Sequence, residues 1–141
     1  GTVSWHNNYI AWANDFGVKA INAASRTPIA FVAQPNDAMD SKSCRCSIVW
    51  YDATTMLIGW GDCVQMCKIQ QSGKKEVMKI THAFRTDYTI CGIAPFSYKD
   101  RDNKSSRGKT FTISILAFPS KDEDDEDKQG GGGASSAKED G

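Results

Sequence analysis

The sequence predicts an all-β chain: a partial, WD40-like β-propeller of about two to three four-stranded antiparallel blades, with a disordered acidic C-terminal tail. Three observations carry that expectation. An apolar run, Leu57-Ile58-Gly59-Trp60, enters a tight Gly-Trp-Gly-Asp turn and is answered by a second run, Cys63 to Ile69, as two short strands joined by a turn would be. A weaker copy lies upstream at Tyr9 to Asp15, followed by Val18 to Ile21, so Trp12 and Trp60 match at a spacing of 48 residues (position 12 to position 60) and Trp5 matches Trp50. Four short strands per unit, with units about 45 residues apart, is the period of a propeller blade.

In chain order, residues 3–5 and 9–12 read as strands around the turn-forming group His6-Asn7-Asn8. Phe16-Gly17 interrupts the pattern and Val18 to Ile21 resumes it. Ala20 to Ala24 has helical propensity, but Gly17 before it and Ser25-Arg26-Thr27-Pro28 after it leave too few residues for a stable helix. Ile29 to Val32 closes the first unit, and a polar loop runs from Gln34 to Ser43. The second unit comprises Cys46 to Trp50, Met56 to Trp60, Cys63 to Ile69, a turn at Ser72-Gly73-Lys74-Lys75, and Val77 to Phe84. A third begins at Tyr88 to Pro95 and, after a charged loop, adds Phe111 to Phe118. A closed propeller needs at least about four blades of roughly 40 residues. Residues 1–119 supply two and a fraction, so they are expected to be part of a circle.

Charge divides the chain in the same place. Residues 120–141 hold eight acidic and three basic side chains and the Gly130 to Gly133 tract, a net of −5 that leaves +5 on residues 1–119. The tail is too polar and Gly-rich to offset the entropy of ordering itself. The positive excess on 1–119 is too small to argue for nucleic acid. No apolar run approaches the ~18–20 residues that span a bilayer. With no charged and apolar leader at Gly1, no signal peptide is expected. Five cysteines in strand-like settings read as reduced, buried thiols of a cytosolic protein. Asn103-Lys104-Ser105, a formal glycosylation acceptor, would then carry no meaning.

Several ordered motifs together carry a resemblance. Ile10-Ala11-Trp12-Ala13-Asn14, Gly17-Val18-Lys19, Leu57-Ile58-Gly59-Trp60-Gly61 with Val64, Cys67 and Lys68, and Tyr88 to Pro95 resemble the amino-terminal propeller of the vacuolar protein sorting-associated protein 41 family, over roughly residues 3–95. The resemblance implies a non-enzymatic subunit of the HOPS membrane-tethering complex, acting in vesicle transport to, and fusion with, the vacuole or lysosome. It implies other HOPS subunits, a late-endosomal or vacuolar small GTPase and adaptor protein complex 3 as partners. It also implies a cytoplasmic location, peripheral at late endosomal, vacuolar or lysosomal membranes through those partners. The loop from Tyr98 to Lys109 and the acidic stretch after Ser120 depart from the short connections of the family.

Chemical sites are weakly signalled. Cys44-Arg45-Cys46 and Cys63-x-x-x-Cys67 would each lie on one strand face, yet zinc-knuckle spacing is absent and buried cysteine behaves as a small apolar residue. His82 beside Cys91 would be needed for a cysteine nucleophile, and His6 is the other histidine. No paired-carboxylate, Gly-x-Ser-x-Gly or phosphate-loop pattern occurs. No catalytic, cofactor or metal residue is therefore assigned, and no binding residue is named. The loop Lys99 to Lys109 has five basic and two acidic residues, and anionic lipid contact is weighed there against a solvated loop. The Asp122 to Asp127 run is weighed likewise as a site for a basic partner against solubilising disorder. The four tryptophans are expected to serve core or inter-blade packing before partner contacts, with some left exposed where a neighbouring blade is missing. Two alternatives stay open: a propeller scaffold of another complex, and a small cysteine-dependent or metal-bearing enzyme.

Overall fold

A computed structural model describes residues 2–35, 45–96 and 112–119. The expectations for the loop at 98–109, for Cys44 and for the tail from 120 lie outside the described residues. Ten strands form three antiparallel sheets. β1 (Val3–His6), β2 (Tyr9–Asn14), β3 (Gly17–Asn22) and β4 (Thr27–Ala33) make blade 1 in simple up-and-down order. β5 (Ser47–Trp50), β6 (Thr55–Trp60), β7 (Cys63–Ser72) and β8 (Lys75–Arg85) repeat that order as blade 2. β9 (Tyr88–Pro95) pairs with β10 (Ile113–Pro119) as the start of blade 3. Among the described residues there is no helix long and apolar enough to cross a membrane.

Turn chemistry sets the register. Asn7, Gly61 and Gly73 take positive φ of 51°, 62° and 62°, the left-handed conformation that lets a two-residue hairpin follow the twist of its strands. Asn14 caps its own turn: its side-chain oxygen accepts from the N–H groups of Phe16 (2.9 Å) and Gly17 (3.1 Å). Asn22 does the same for Ala24 (3.0 Å) and Ser25 (3.2 Å). His6, grouped with the turn by sequence, is the last residue of β1.

The repeat is real, but its tryptophan match slips by two residues. Asn14 pairs with Gly17 across the first turn as Trp60 pairs with Cys63 across the second, so Trp60 is equivalent to Asn14 and Trp12 to Ile58. The spacing is therefore 46 residues (position 14 to position 60), not 48. A slip of two leaves every side chain on its original face, because the strand period is two. Trp5 and Trp50 remain true equivalents, paired with Ile10 and Met56 respectively.

Two apolar layers lie between the three sheets. Ala11, Val18, Ala20, Ile29 and Val32 of blade 1 meet Ile48, Trp50, Met56, Ile58 and Trp60 of blade 2. On the opposite face of blade 2, Leu57 and Val64 meet Ile90 and Ile93, with Met66, Ile113 and Ile115 packed at the margin. In the first layer the small Ala11 and Ala20 share a cluster with the large Trp50, Met56 and Trp60, the complementarity that close packing requires. Gly59 belongs to this scheme: a Cβ there would press into the side chain of Ile93.

Candidate docking surfaces

Of the four described cysteines, one precedes β5, two lie on β7 and one on β9. Cys46, Cys63 and Cys67 are buried and Cys91 is exposed. Burial pushes the thiols of Cys46 and Cys67 up to about 12. It also raises Cys63, against the opposing charge of Arg85 and with Asp62 adding to the rise. Thiols held this way stay protonated near neutrality, whereas the thiolate is the nucleophile and the metal ligand. Among the described residues, no three His, Cys, Asp or Glu side chains are grouped to hold a metal. His82 lies on β8 and Cys91 on β9, in separate sheets. The Nδ1 of His82 lies 3.2 Å from the Thr81 hydroxyl, and His6 stacks on Trp50 with ring centroids 6.0 Å apart.

The four tryptophans divide by blade. Trp50 and Trp60 are buried at 8% and 5% exposure, whereas Trp5, the equivalent of Trp50, is 68% exposed. The difference has a visible cause. Trp50 is covered by blade 1, whose Tyr9 and His6 rings stack on it. Within the described residues nothing stands in the same relation to Trp5.

That absence defines an open face. Register pairs Val3 with Trp12, Trp5 with Ile10, and Ile10 with Ile21, so these side chains lie on the face of blade 1 directed away from blade 2. Val3 and Phe31 are exposed beside them. Trp12, Lys19, Ile21, Pro28 and Phe31 line a groove of about 450 Å³ on this face. At the other end of the array, Leu116 (69% exposed) and Phe118 project from β10, and Cys91 is exposed on β9. Phe84, exposed on β8, lies on the half of blade 2 that the two-stranded third sheet does not reach. Apolar side chains exposed together in this way are the kind of surface that packs against another element or a partner.

Polar contacts pin blade 1 to blade 2. The Tyr9 hydroxyl donates to Glu76 Oε1 (3.0 Å) and the Asn22 amide donates to Glu76 Oε2 (3.0 Å). The Thr2 hydroxyl donates to the carbonyl of Cys46 (2.7 Å). Sequence reading assigned no blade-to-blade contact to Thr2, Tyr9, Asn22 or Glu76. Each is an ordinary polar residue at or near a strand end, and only blade docking gives it a partner.

A family model described as Vps42 beta-propeller matches residues 1–105. The chain belongs to the Vps41 β-propeller family. The match takes in both complete blades and β9. Curated Vps41 relatives agree. The chain is 35% identical over 103 residues to the vacuolar protein sorting-associated protein 41 homolog of Danio rerio, covering 68% of this chain and 12% of that protein. It is 35% identical over 107 residues to the Arabidopsis thaliana homolog (67% and 11%) and 32% identical over 101 residues to the Homo sapiens homolog (67% and 12%). It thus spans about an eighth of the length of the Vps41 relatives it matches. No solved structure matches it. The apolar layers between the sheets are the core of this propeller portion.

Proposed function

We propose that the chain forms part of the propeller of a Vps41-type subunit acting in vacuolar or lysosomal protein sorting. In this reading residues 1–119 are the propeller portion and 120–141 an acidic, Gly-rich extension. The role is docking, not catalysis. Blade packing holds loops and strand edges rigid, and those loops engage other proteins. The partners are other HOPS subunits, a late-endosomal or vacuolar small GTPase and adaptor protein complex 3, which together tether membranes before fusion. The protein reaches the membrane through them and works on its cytoplasmic side.

The observation that supports this reading most is the family match over residues 1–105, which coincides with two complete blades and the opening strand of a third. The test is a graft. Residues 2–96 would replace the matching stretch of the Schizosaccharomyces pombe relative, and vacuolar cargo delivery would be followed in cells lacking the native protein. Restored delivery, with the other tethering subunits co-purifying, is the expected result. A stable chimaera that co-purifies with none of them would refute the assignment.

A further inference from the structure

One half of blade 2 carries charge of a single sign. Register places Lys68 directly opposite Lys79, Gln70 opposite Val77 and Ser72 opposite Lys75, so these side chains share one face of the sheet. The irregularity after Met66 keeps His82 on that face, since His82 pairs with Met66. It is the face whose Leu57 and Val64 pack on Ile90 and Ile93. Lys68, Lys75, Lys79 and His82 are all exposed. Glu76 is the one carboxylate on β6, β7 and β8, and it points the other way, held by Tyr9 and Asn22 of blade 1. Like charges directly opposite on paired strands repel, so the Lys68–Lys79 pair costs stability unless anionic groups lie over it.

The same chain carries such groups within reach. β10 ends at Pro119, which pairs with Tyr88. Tyr88 closely follows Arg85, the last residue of β8, and the connection is bonded to the β6–β7 turn: the N–H of Thr86 donates to the Asp62 carbonyl (2.8 Å) and that of Ile90 to the Gly61 carbonyl (2.8 Å). The chain therefore leaves β10 at the end of blade 2 where β7 begins and β8 ends. Six carboxylates in succession, Asp122 to Asp127, follow at positions three to eight after Pro119 in the sequence. At about 3.3 Å per residue these positions are about 10–26 Å of extended chain away. On the same scale Lys79, six positions before Arg85 on β8, is about 20 Å from that end of the strand.

We propose that the acidic stretch Asp122–Asp127 docks on this face of its own chain, its carboxylates over Lys68, Lys75, Lys79 and His82. Charge complementarity and reach both select it. Exposed ion pairs are individually weak. Six carboxylates attached to the same chain meet the lysines at a high effective concentration, which a separate acidic partner lacks. An acidic segment of another protein would have to displace the stretch to use this face.

Zero-length carbodiimide cross-linking, which joins a carboxylate to an amine in contact with it, tests this on an equal mixture of light and isotopically heavy 141-residue chain. The expected products join the peptide carrying Asp122–Asp127 to Lys68, Lys75 or Lys79 within chains of one isotopic kind. Links to Lys19, an exposed lysine on blade 1, should be several-fold fewer. About 1 M salt, where the Debye length is about 3 Å, should abolish the preference. Exchanging Asp for Asn and Glu for Gln across 122–127 should raise acetylation of Lys68 and Lys79 several-fold and leave Lys19 unchanged, with circular dichroism verifying that the strands persist. Links spread evenly over Lys19 and the three blade 2 lysines would overturn the proposal. So would links found only between light and heavy chains, since the face would then take an acidic segment from a separate molecule. Acetylation indifferent to the exchange would overturn it as well. None of these results bears on the sorting assignment.

Discussion

The Tyr9 hydroxyl donates to the Glu76 carboxylate at 3.0 Å across the boundary between blades 1 and 2, while the Tyr9 ring stacks on Trp50 at 5.8 Å. One side chain thus joins the apolar layer to the polar clamp. Glu76 in turn holds Asn22, the register partner of Tyr9, so a single carboxylate fixes two adjacent strands of the neighbouring blade.

Removing the clamp should cost stability in steps. Tyr9→Phe keeps the ring stack and loses one hydrogen bond, a cost of about 0.5–1.5 kcal/mol. Glu76→Ala releases both Tyr9 and Asn22 and should cost about 1–3 kcal/mol. Urea denaturation monitored by tryptophan emission would measure both, and the double variant should cost less than the sum, because the two changes share a bond.

The same pair predicts a pH dependence. Burial, then the hydrogen bond and charge of Glu76, raise Tyr9 above the ordinary tyrosine value of 10.0. The folded chain therefore holds this proton more tightly than the unfolded chain does. Its contribution is complete below pH 10.0 and is lost as pH rises through the elevated folded value. The advantage of wild type over Tyr9→Phe should be constant from neutrality to pH 9 and should shrink by pH 11 (about one unit either side of the ordinary tyrosine value), as read from urea midpoints.

Equivalent tryptophans should respond unequally. Trp50→Ala empties the layer between blades and should cost about 3–5 kcal/mol. Trp5→Ala, in dilute chain where that face is free, should change stability by less than about 0.5 kcal/mol. Equal costs would mean that Trp5 is covered within a single chain.

Two glycines should tolerate substitution differently. At Gly17 a Cβ would run into the backbone carbonyl of Val32 and lie 3.0 Å from the Ala33 Cα, neither of which can rotate away. Gly17→Ala should therefore cost more than about 2 kcal/mol, as overpacked sites do. At Gly92 nothing lies within 4 Å of a Cβ, and Gly92→Ala should be neutral or mildly stabilising. Thermal unfolding of the two variants would show the contrast.

Thiol reactivity should follow burial. In a Cys44→Ser background, a maleimide should modify Cys91 in the native chain and reach Cys46, Cys63 and Cys67 only on unfolding. Peptide mass spectrometry would locate the adducts. Early modification of Cys67 would contradict the packed layer between blades 1 and 2.

Strands were legible because turn residues punctuate them: Asn7-Asn8 and Gly61-Asp62 each sit between two runs rich in apolar residues, and Gly73-Lys74 marks the turn between β7 and β8. The ends of β7 and β8 were less so, since Gln70, Gln71, Lys75 and Glu76 are polar and owe their strand geometry to pairing with one another. The Trp12–Trp60 alignment slipped because residue type and face are both preserved by a two-residue shift, and only hydrogen-bond register distinguishes the alternatives. The blade-to-blade clamp was not legible at all. Tyr9 and Glu76 are 67 positions apart, and nothing in their local sequence separates a clamp residue from a solvated one. The exposure of Trp5 likewise depends on what lies beside it, which its own sequence does not encode.

Whether the Trp5 face, 68% exposed at that side chain, packs against another blade is open to direct measurement. Hydroxyl-radical footprinting tests it, comparing the dilute 141-residue chain with a full-length Vps41-family protein that carries residues 2–96 as its corresponding blades. The account predicts that Trp5 is heavily oxidised in the short chain and falls to the low level of Trp50 in the complete propeller. Trp5 remaining as reactive in the complete propeller as in the short chain would contradict it.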